Sequence, residues 1–147
     1  MREIVLGSDH WGIESKNALI HALEKERNFL IEDLGAYGEN TSSYPEFGHK
    51  VAKWVEDKNI VGILMCKTGN GMAMVANRYD GVRAALCWDE EIARLARRHN
   101  DANILCLPVG FLTHDQMINI TKVFLKTSFE KGRHVARVRS ISRLCEP

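Results

Sequence analysis

The chain has 147 residues, with 20 basic and 19 acidic side chains and a net charge of +1. That balance gives no global field for nucleic acid or an anionic membrane, and no apolar run reaches the ~20 residues of a membrane span. The length fits a single domain, residues 1–147, able to bury roughly 70% of its unfolded surface without disulfide or metal staples.

Taken in order, the chain alternates short apolar runs with segments of helical period. Glu3 to Ser8 is the first apolar run and ends at Asp9-His10. Ile13, Ala18, Leu19, Ala22 and Leu23 then recur with helical spacing. Phe29-Leu30-Ile31 opens a second strand, closed by Asp33-Leu34-Gly35. Residues 36–45, punctuated by Gly38, Asn40, Thr41, Ser42, Ser43 and Pro45, read as loop. Glu46 to Lys58 reads as a helix with Phe47, Val51, Trp54 and Val55 on one face. Ile60 to Met65 is a third strand, apolar enough to be buried on both faces. Val82 to Cys87 is a fourth strand, after which Asp89 caps a helix to about Arg98. Asn103 to Leu107 is a fifth, and Thr113 caps a helix through Met117, Ile120, Val123 and Phe124. Gly132 breaks that pattern, and a last helix starts near Arg133. Repeated strand–helix alternation predicts an α/β fold, a parallel Rossmann-like sheet with helices on both faces. Ligands of such sheets sit beyond the carboxyl ends of the strands.

The cysteines are Cys66, Cys87, Cys106 and Cys145, and none forms a C-x-x-C pair. Neither structural zinc nor a redox dithiol is indicated. Cys87 and Cys106 sit in apolar runs and read as small core residues, and a reduced cytoplasmic setting fits such usage.

Chemistry concentrates at Cys66-Lys67-Thr68-Gly69-Asn70-Gly71, between the third apolar run and Met72 to Ala76, which reads as a helix start. A strand, a tight glycine turn and a helix aim several backbone N–H groups at one point, so the turn suits an anion. Cys66 stands at its head, where the same field would stabilise a thiolate. Three familiar phosphate turns fail here on residues. A Walker A loop needs Gly where Val61 and Cys66 stand. A dinucleotide fingerprint needs a third Gly where Met74 stands. A cysteine-phosphatase loop needs Arg where Met72 stands. Two readings remain: a thiol beside an anion hole, or a buried cysteine ending a strand before an ordinary turn.

His99-Asn100-Asp101 falls just before the fifth strand, at the amino end of the sheet. A strand of about 5–6 residues spans ~17–20 Å, so these side chains do not easily reach Cys66 of their own chain. They are either a polar helix exit or part of a neighbour's site. Near the C-terminus, Arg133 and Arg137 are four apart and share a helix face. Two guanidiniums so placed make a fork suited to a phosphate dianion. Arg139 and Arg143 form a second pair, read as solvated, and His21, His49 and His114 as surface or packing residues.

Several blocks keep a fixed order along the chain. They are Gly7-Ser8-Asp9-His10, Tyr44-Pro45, Cys66 with Thr68-Gly69-Asn70-Gly71, Ala76-Asn77, Gly81-Val82-Arg83-Ala84, His99-Asn100-Asp101-Ala102-Asn103, and Gly132-Arg133-His134 with Arg137-Val138. In this combination the chain resembles the type B ribose-5-phosphate isomerases, of the family that also holds the galactose-6-phosphate isomerase subunits. The resemblance implies a three-layer α/β/α sandwich and a homodimer, or a tetramer of paired dimers, with sites shared between subunits. It implies a cytoplasmic enzyme of the pentose phosphate pathway that needs no metal or cofactor. The reaction implied is interconversion of D-ribose 5-phosphate and D-ribulose 5-phosphate through a cis-enediolate. Cys66 matches the base. Thr68 and the amides of Lys67, Gly69, Asn70 and Gly71 match the oxyanion donors. His99 with Asp9 matches the ring-opening pair. His10, Arg133 and Arg137 match the phosphate site, and Tyr44 and Asn100 the sugar hydroxyls. His99 and Asn100 would come from the partner chain.

The chain departs from this pattern at Lys67, where the family has Gly, and at Ser43, where it has Asp. Val109-Gly110-Phe111 carries no arginine, although many relatives have one near position 110. Met72 stands where some relatives place a carboxylate base, which leaves that role to Cys66. Two readings of Lys67 compete: its side chain faces solvent, with Gly69 and Gly71 absorbing the strained turn angles, or its ammonium lies close enough to favour the Cys66 thiolate or to replace the charge of the absent arginine near position 110. A non-catalytic sugar-phosphate or nucleotide binder is the rival from another class, but it would need neither Cys66 nor His99. An isomerase of six-carbon sugar phosphates is the enzymatic rival.

Overall fold

The computed structural model describes residues 1–38 and 43–142. Asn40, Thr41 and Ser42 of the expected loop, and Arg143, Cys145 and Glu146 at the C-terminal end, lie outside them. The strands are β1 Arg2–Ser8, β2 Phe29–Asp33, β3 Val61–Cys66, β4 Ala84–Leu86 and β5 Ile104–Pro108. They form one parallel sheet in the order β2-β1-β3-β5-β4, so β5 lies between β3 and β4. The helices are α1 Ile13–Glu24, α2 Tyr44–Lys58, α3 Asn70–Ala76, α4 Glu90–Asn100, α5 His114–Lys126 and α6 His134–Ile141. None is long and apolar enough to cross a membrane.

The period of two along each strand divides the buried side chains between two cores. Ile4, Leu6, Ile63, Met65, Leu105 and Leu107 pack with α1, α4 and α5 through Leu19, Leu23, Ala93, Ala96, Ile120 and Phe124. Val5, Leu64, Cys66, Ile104 and Cys106 face α2 and α3 through Phe47, Val51, Val55, Met72 and Ala76. Each fully buried Leu, Ile or Phe stabilises the fold by roughly 1.5–3 kcal/mol before entropy is counted. The result is the expected three-layer α/β/α arrangement, with Cys66 on the α2/α3 face. All six residues of β3 are buried, as a strand covered on both faces requires.

Helix ends follow the sequence closely. Asp89 Oδ1 accepts from Ile92 N at 2.8 Å. Thr113 and Gln116 form a reciprocal capping box. Two boundaries differ from expectation. α2 starts at Tyr44, so Tyr44 and Pro45 belong to its first turn and not to the loop. A proline is tolerated there because its missing N–H would have no helical partner. β4 is shorter than Val82–Cys87, since Val82 N is taken by Tyr79 O and Arg83 N by Asn103 Oδ1. Lys16 was not anticipated as a core residue. It is fully buried, and its Nζ donates to Asp33 Oδ1 at 2.6 Å and to Ala36 O at 2.7 Å.

Candidate active site

Strand register brings three loops together at the carboxyl end of the sheet. Ser8 pairs with Met65 and Cys66 with Pro108, so the segments after β1, β3 and β5 leave side by side. Asp9 N donates to Met65 O at 3.3 Å, and Gly110 N donates to Lys67 O at 2.9 Å. Within this cradle Cys66 is 5% exposed, and its Sγ accepts from Gly69 N at 3.2 Å. The amide donor anticipated for the turn is thus aimed at the sulfur. Asn70 N points to Thr68 Oγ1 at 3.3 Å. α3 has only seven residues, so the donors of this turn are chiefly its own amides rather than a long helix dipole.

The two glycines of the turn serve different ends. Gly69 has φ +73°, and a Cβ there would also stand 2.4 Å from Leu86 Cδ1. Gly71 is not left-handed. Instead the Tyr44 ring lies on it, and a Cβ would meet Cε2 at 2.6 Å. The expectation that both glycines absorb strained angles therefore holds for Gly69 alone; Gly71 makes room for Tyr44. Lys67 needs no left-handed backbone. Its exposed side chain passes over Gly110, where a Cβ would stand 2.8 Å from Lys67 Cγ. Its ammonium lies 5.0 Å from the ring centroid of Trp11, which sequence reasoning did not single out.

Asp9 is 6% exposed and caps the short 3-10 turn of residues 10–12, accepting from Gly12 N at 3.2 Å. Burial pushes its carboxyl above the usual range, against the pull of Gly12 N–H and His10. His10 is half-buried beside Trp11, with ring centroids 5.9 Å apart. The core cysteines differ from Cys66. Burial, then Asp89, pushes the Cys87 thiol to about 12, and burial in the sheet core pushes Cys106 well up.

His99, Asn100, Arg133 and Arg137 do not join this group. His99 and Asn100 end α4, and β5 begins at Ile104, paired with Gly62 near the start of β3. Four strand steps put roughly 13 Å of sheet between that end and the level of Cys66. His99 stacks on His134, with centroids 4.5 Å apart and planes 14° apart. With Asn100, Arg137, Val138 and Ile141 they line a cavity of about 300 Å³. Arg133 is exposed and caps α6. Burial first, then the charges of His99 and Arg133, holds the His134 imidazole below its ordinary value. A larger cavity of about 450 Å³ lies between Asn77, Tyr79, Arg83, Ala102, Ile141 and Ser142, and Asn100 is its only expected site residue.

A model of the ribose/galactose isomerase family matches residues 4–141. The chain belongs to the ribose/galactose isomerase family. It is an isomerase by that membership, and its relatives cover nearly all of it. A probable ribose-5-phosphate isomerase B of Mycoplasma genitalium is 43% identical over 144 residues, covering 95% of this chain and 93% of that one. A ribose 5-phosphate isomerase crystal structure from Thermotoga maritima superposes with a TM-score of 0.92 at 41% identity, covering 96% of this chain and 97% of that one. The Mycoplasma genitalium enzyme with bound ribulose-5-phosphate gives 0.90 at 40% identity, covering 95% and 93%.

Several residues of the matching blocks hold the isomerase fold together. Asp101 receives Arg97 at 3.0 Å and Arg83 at 3.4 Å. Asn103 accepts from Arg83 N at 2.7 Å and donates to Gly81 O at 2.8 Å. Asn77 clasps Ala84 through both its backbone groups at 2.8 and 2.9 Å. The structure also adds Glu130, which the sequence reading missed. Its carboxylate sits between Arg98, His99 and His134. The spacing of four between Glu130 and His134 was visible, but residue 130 lies outside any helix, so helical pairing rules did not apply to it. His99, Glu130 and His134 place donor atoms within 4.8 Å of one another, the one such set among the described residues. Arg98 already occupies Glu130 Oε2, and Arg133 and Arg137 add positive charge, so the cluster is arranged for an anion and not for a cation.

Proposed function

We propose that the protein is a cofactor-independent aldose–ketose isomerase that interconverts D-ribose 5-phosphate and D-ribulose 5-phosphate through a cis-enediolate, as a step of the pentose phosphate pathway. The observation that carries this reading is the turn in which Gly69 N–H meets Cys66 Sγ, with Tyr44 over Gly71 and Asp9 on the adjoining loop. Cys66, as thiolate, removes the proton from C2 of the open-chain aldose. The C–H pair becomes the C1–C2 double bond and the carbonyl pair moves onto O1. The developing oxyanion is held by the turn amides and Thr68, donors fixed before the reaction starts. A proton passes between O2 and O1, C2 becomes the carbonyl, and C1 takes a proton back from Cys66.

The cyclic sugar must open first. The C1–O4 bond breaks, O4 takes a proton from His99, and the anomeric O1 gives its proton to Asp9. A carboxyl held above its usual range by burial is better suited to accept it. Arg137, Arg133 and His10 hold the phosphate, and Tyr44 and Asn100 meet the sugar hydroxyls. Because Cys66 and His99 stand at opposite ends of one sheet, the site needs the partner subunit's His99, which makes the working unit a homodimer. Trp11, Met74, Trp88 and Phe111 are each more than half exposed, which supplies the apolar surface such a contact uses. Support for the substrate comes from the relative that binds ribulose-5-phosphate.

The test is metal-free protein assayed side by side on ribose 5-phosphate and allose 6-phosphate. Turnover at least about tenfold faster on the pentose is expected, in line with what one extra carbon unit costs in a fitted pocket. Faster turnover of the six-carbon sugar would transfer the reading to that substrate, and no turnover of either would end it.

A further inference from the structure

Lys16 has no part in the chemistry described so far, and it is a fully buried lysine in the first turn of α1. Its Nζ donates to Asp33 Oδ1 at 2.6 Å and to Ala36 O at 2.7 Å, and stands 5.0 Å from the Tyr37 ring centroid. Asp33 Oδ1 also accepts from Gly35 N at 2.9 Å. One lysine head thus gathers the segment that follows β2. That segment runs beside the end of β1. The β1–β2 ladder extends past Asp33: Leu34 N donates to Leu6 O at 2.9 Å, Ser8 N to Gly35 O at 2.7 Å and Ala36 N to Ser8 O at 2.7 Å. Gly35 has φ +102°, outside strand geometry, and the next carbonyl, Ala36 O, goes to Lys16. Ser8 is followed by Asp9, whose Oδ1 accepts from Gly12 N at 3.2 Å, just before α1 begins. These contacts close a circuit: from Asp9 to Gly12, along α1 to Lys16, across to Ala36, and back through Ser8 to Asp9. Lys16 is the link between α1 and the segment after β2.

Stability alone accounts poorly for a lysine at this place. Taking an ion pair out of water costs about as much as the pairing returns, and apolar side chains of like volume often serve a fold as well. Position is another matter: an apolar side chain fills the space but gives Ala36 O no donor. We propose that Lys16 is a positioning residue for ring opening: it locks Gly35-Ala36 against Ser8 and so holds Asp9 at the site. The proposal rests on the isomerase reading above, in which Asp9 takes the O1 proton. The Asp9 carboxyl depends on that placement, since burial is what holds it above its usual range. Lys16 itself touches no substrate atom in this scheme.

Lys16→Met keeps the apolar stem and removes the donor. On ribose 5-phosphate, well below the variant's melting temperature, kcat/KM should fall about 10–100-fold, the effect of a displacement on the order of 1 Å at a reacting group. Asp9→Asn decides how that loss arises. Alone it should lower kcat/KM by about 10²–10⁴-fold, as a lost acid–base group does, and the residual turnover is read with more enzyme. Residues that act as one unit are not additive, so adding Lys16→Met to Asp9→Asn should cost less than about twofold more. A fold-level role predicts the full loss from Lys16→Met in both backgrounds, and that result overturns the proposal while leaving the isomerase reading standing. So does a Lys16→Met enzyme within about twofold of the wild type. An Asp9→Asn enzyme as active as the wild type removes Asp9 from ring opening and overturns the proposal too. If the wild type turns over neither ribose 5-phosphate nor allose 6-phosphate, the isomerase reading falls and the proposal with it. Should Lys16→Met not fold, Lys16→Met/Asp33→Asn removes the carboxylate charge left unpaired and keeps Oδ1 for Gly35 N. That pair must show the same loss in the wild-type background and none on Asp9→Asn; additive losses overturn the proposal as well.

Discussion

Cys66 and His99 sit in surroundings of opposite kind. Around Cys66 the partners are main-chain groups: Gly69 N on the sulfur, Gly110 N on Lys67 O, Asp9 N on Met65 O. Around His99 they are long side chains, with Arg98, Glu130, Arg133 and Arg137 all exposed. The first setting fixes the Cys66 sulfur to within the tolerance of a strand and its turn. The second gathers charge that can close on a phosphate, at the cost of ordering flexible arms. In the proposed reading, the difference teaches that the C2 proton transfer falls to a cysteine held among main-chain groups, and ring opening at His99 with phosphate binding to exposed side chains at the other end of the sheet.

The strongest way to break that division is Cys66→Ala. Isomerisation should fall by at least about 10³-fold, the range of a lost general base, while binding of ribose 5-phosphate measured by calorimetry changes little. Near-normal turnover would remove Cys66 from the chemistry. Mixing inactive Cys66→Ala and His99→Asn chains sharpens the comparison further. If each site takes one group from each subunit, re-equilibrated mixtures should regain up to about a quarter of wild-type activity, since half the dimers are mixed and half their sites intact. Mixtures that stay inactive would place both groups in one chain's site. Arg137→Ala should cost roughly 10–100-fold in kcat/KM, mostly through KM, as expected for one charged hydrogen bond to a non-reacting phosphate. An unchanged kcat/KM would make Arg137 a solvated helix charge. Lys67→Gly should have the smallest effect, within a few-fold, because the ammonium lies over Trp11. Alkylation rates of Cys66 measured against pH in the two proteins should superimpose; a clear upward displacement in the variant would give Lys67 a part at the thiol.

The sheet, its helices and both caps were legible because apolar period and capping residues act locally. Strand order was not, because the place of β5 between β3 and β4 depends on pairings distant in sequence. The Cys66 turn was legible as strand, glycine and helix. That Gly69 is needed for its angle and Gly71 for the Tyr44 ring was not, since the second depends on a contact between loops. His99 was correctly kept apart from Cys66 by strand length alone. Glu130 and Lys16 escaped because their neighbours are tertiary: Arg98 lies 32 residues away and Asp33 lies 17 away. A fully buried lysine in particular runs against residue statistics, and only the paired Asp33 and Ala36 carbonyl make it tolerable.

The order β2-β1-β3-β5-β4 also bears on when the protein acquires its site. The neighbour that closes β3 on its second side is β5, more than forty residues later in the chain, and Gly110 N reaches back to Lys67 O. Non-local parallel pairings of this kind form late, because their loop entropy must be overcome before they stabilise anything. On the ribosome, residues 66–71 therefore emerge long before the strand that shapes them. A truncated or stalled chain ending before β5 carries the cysteine and the glycines but lacks the Gly110 N–H that holds Lys67 O.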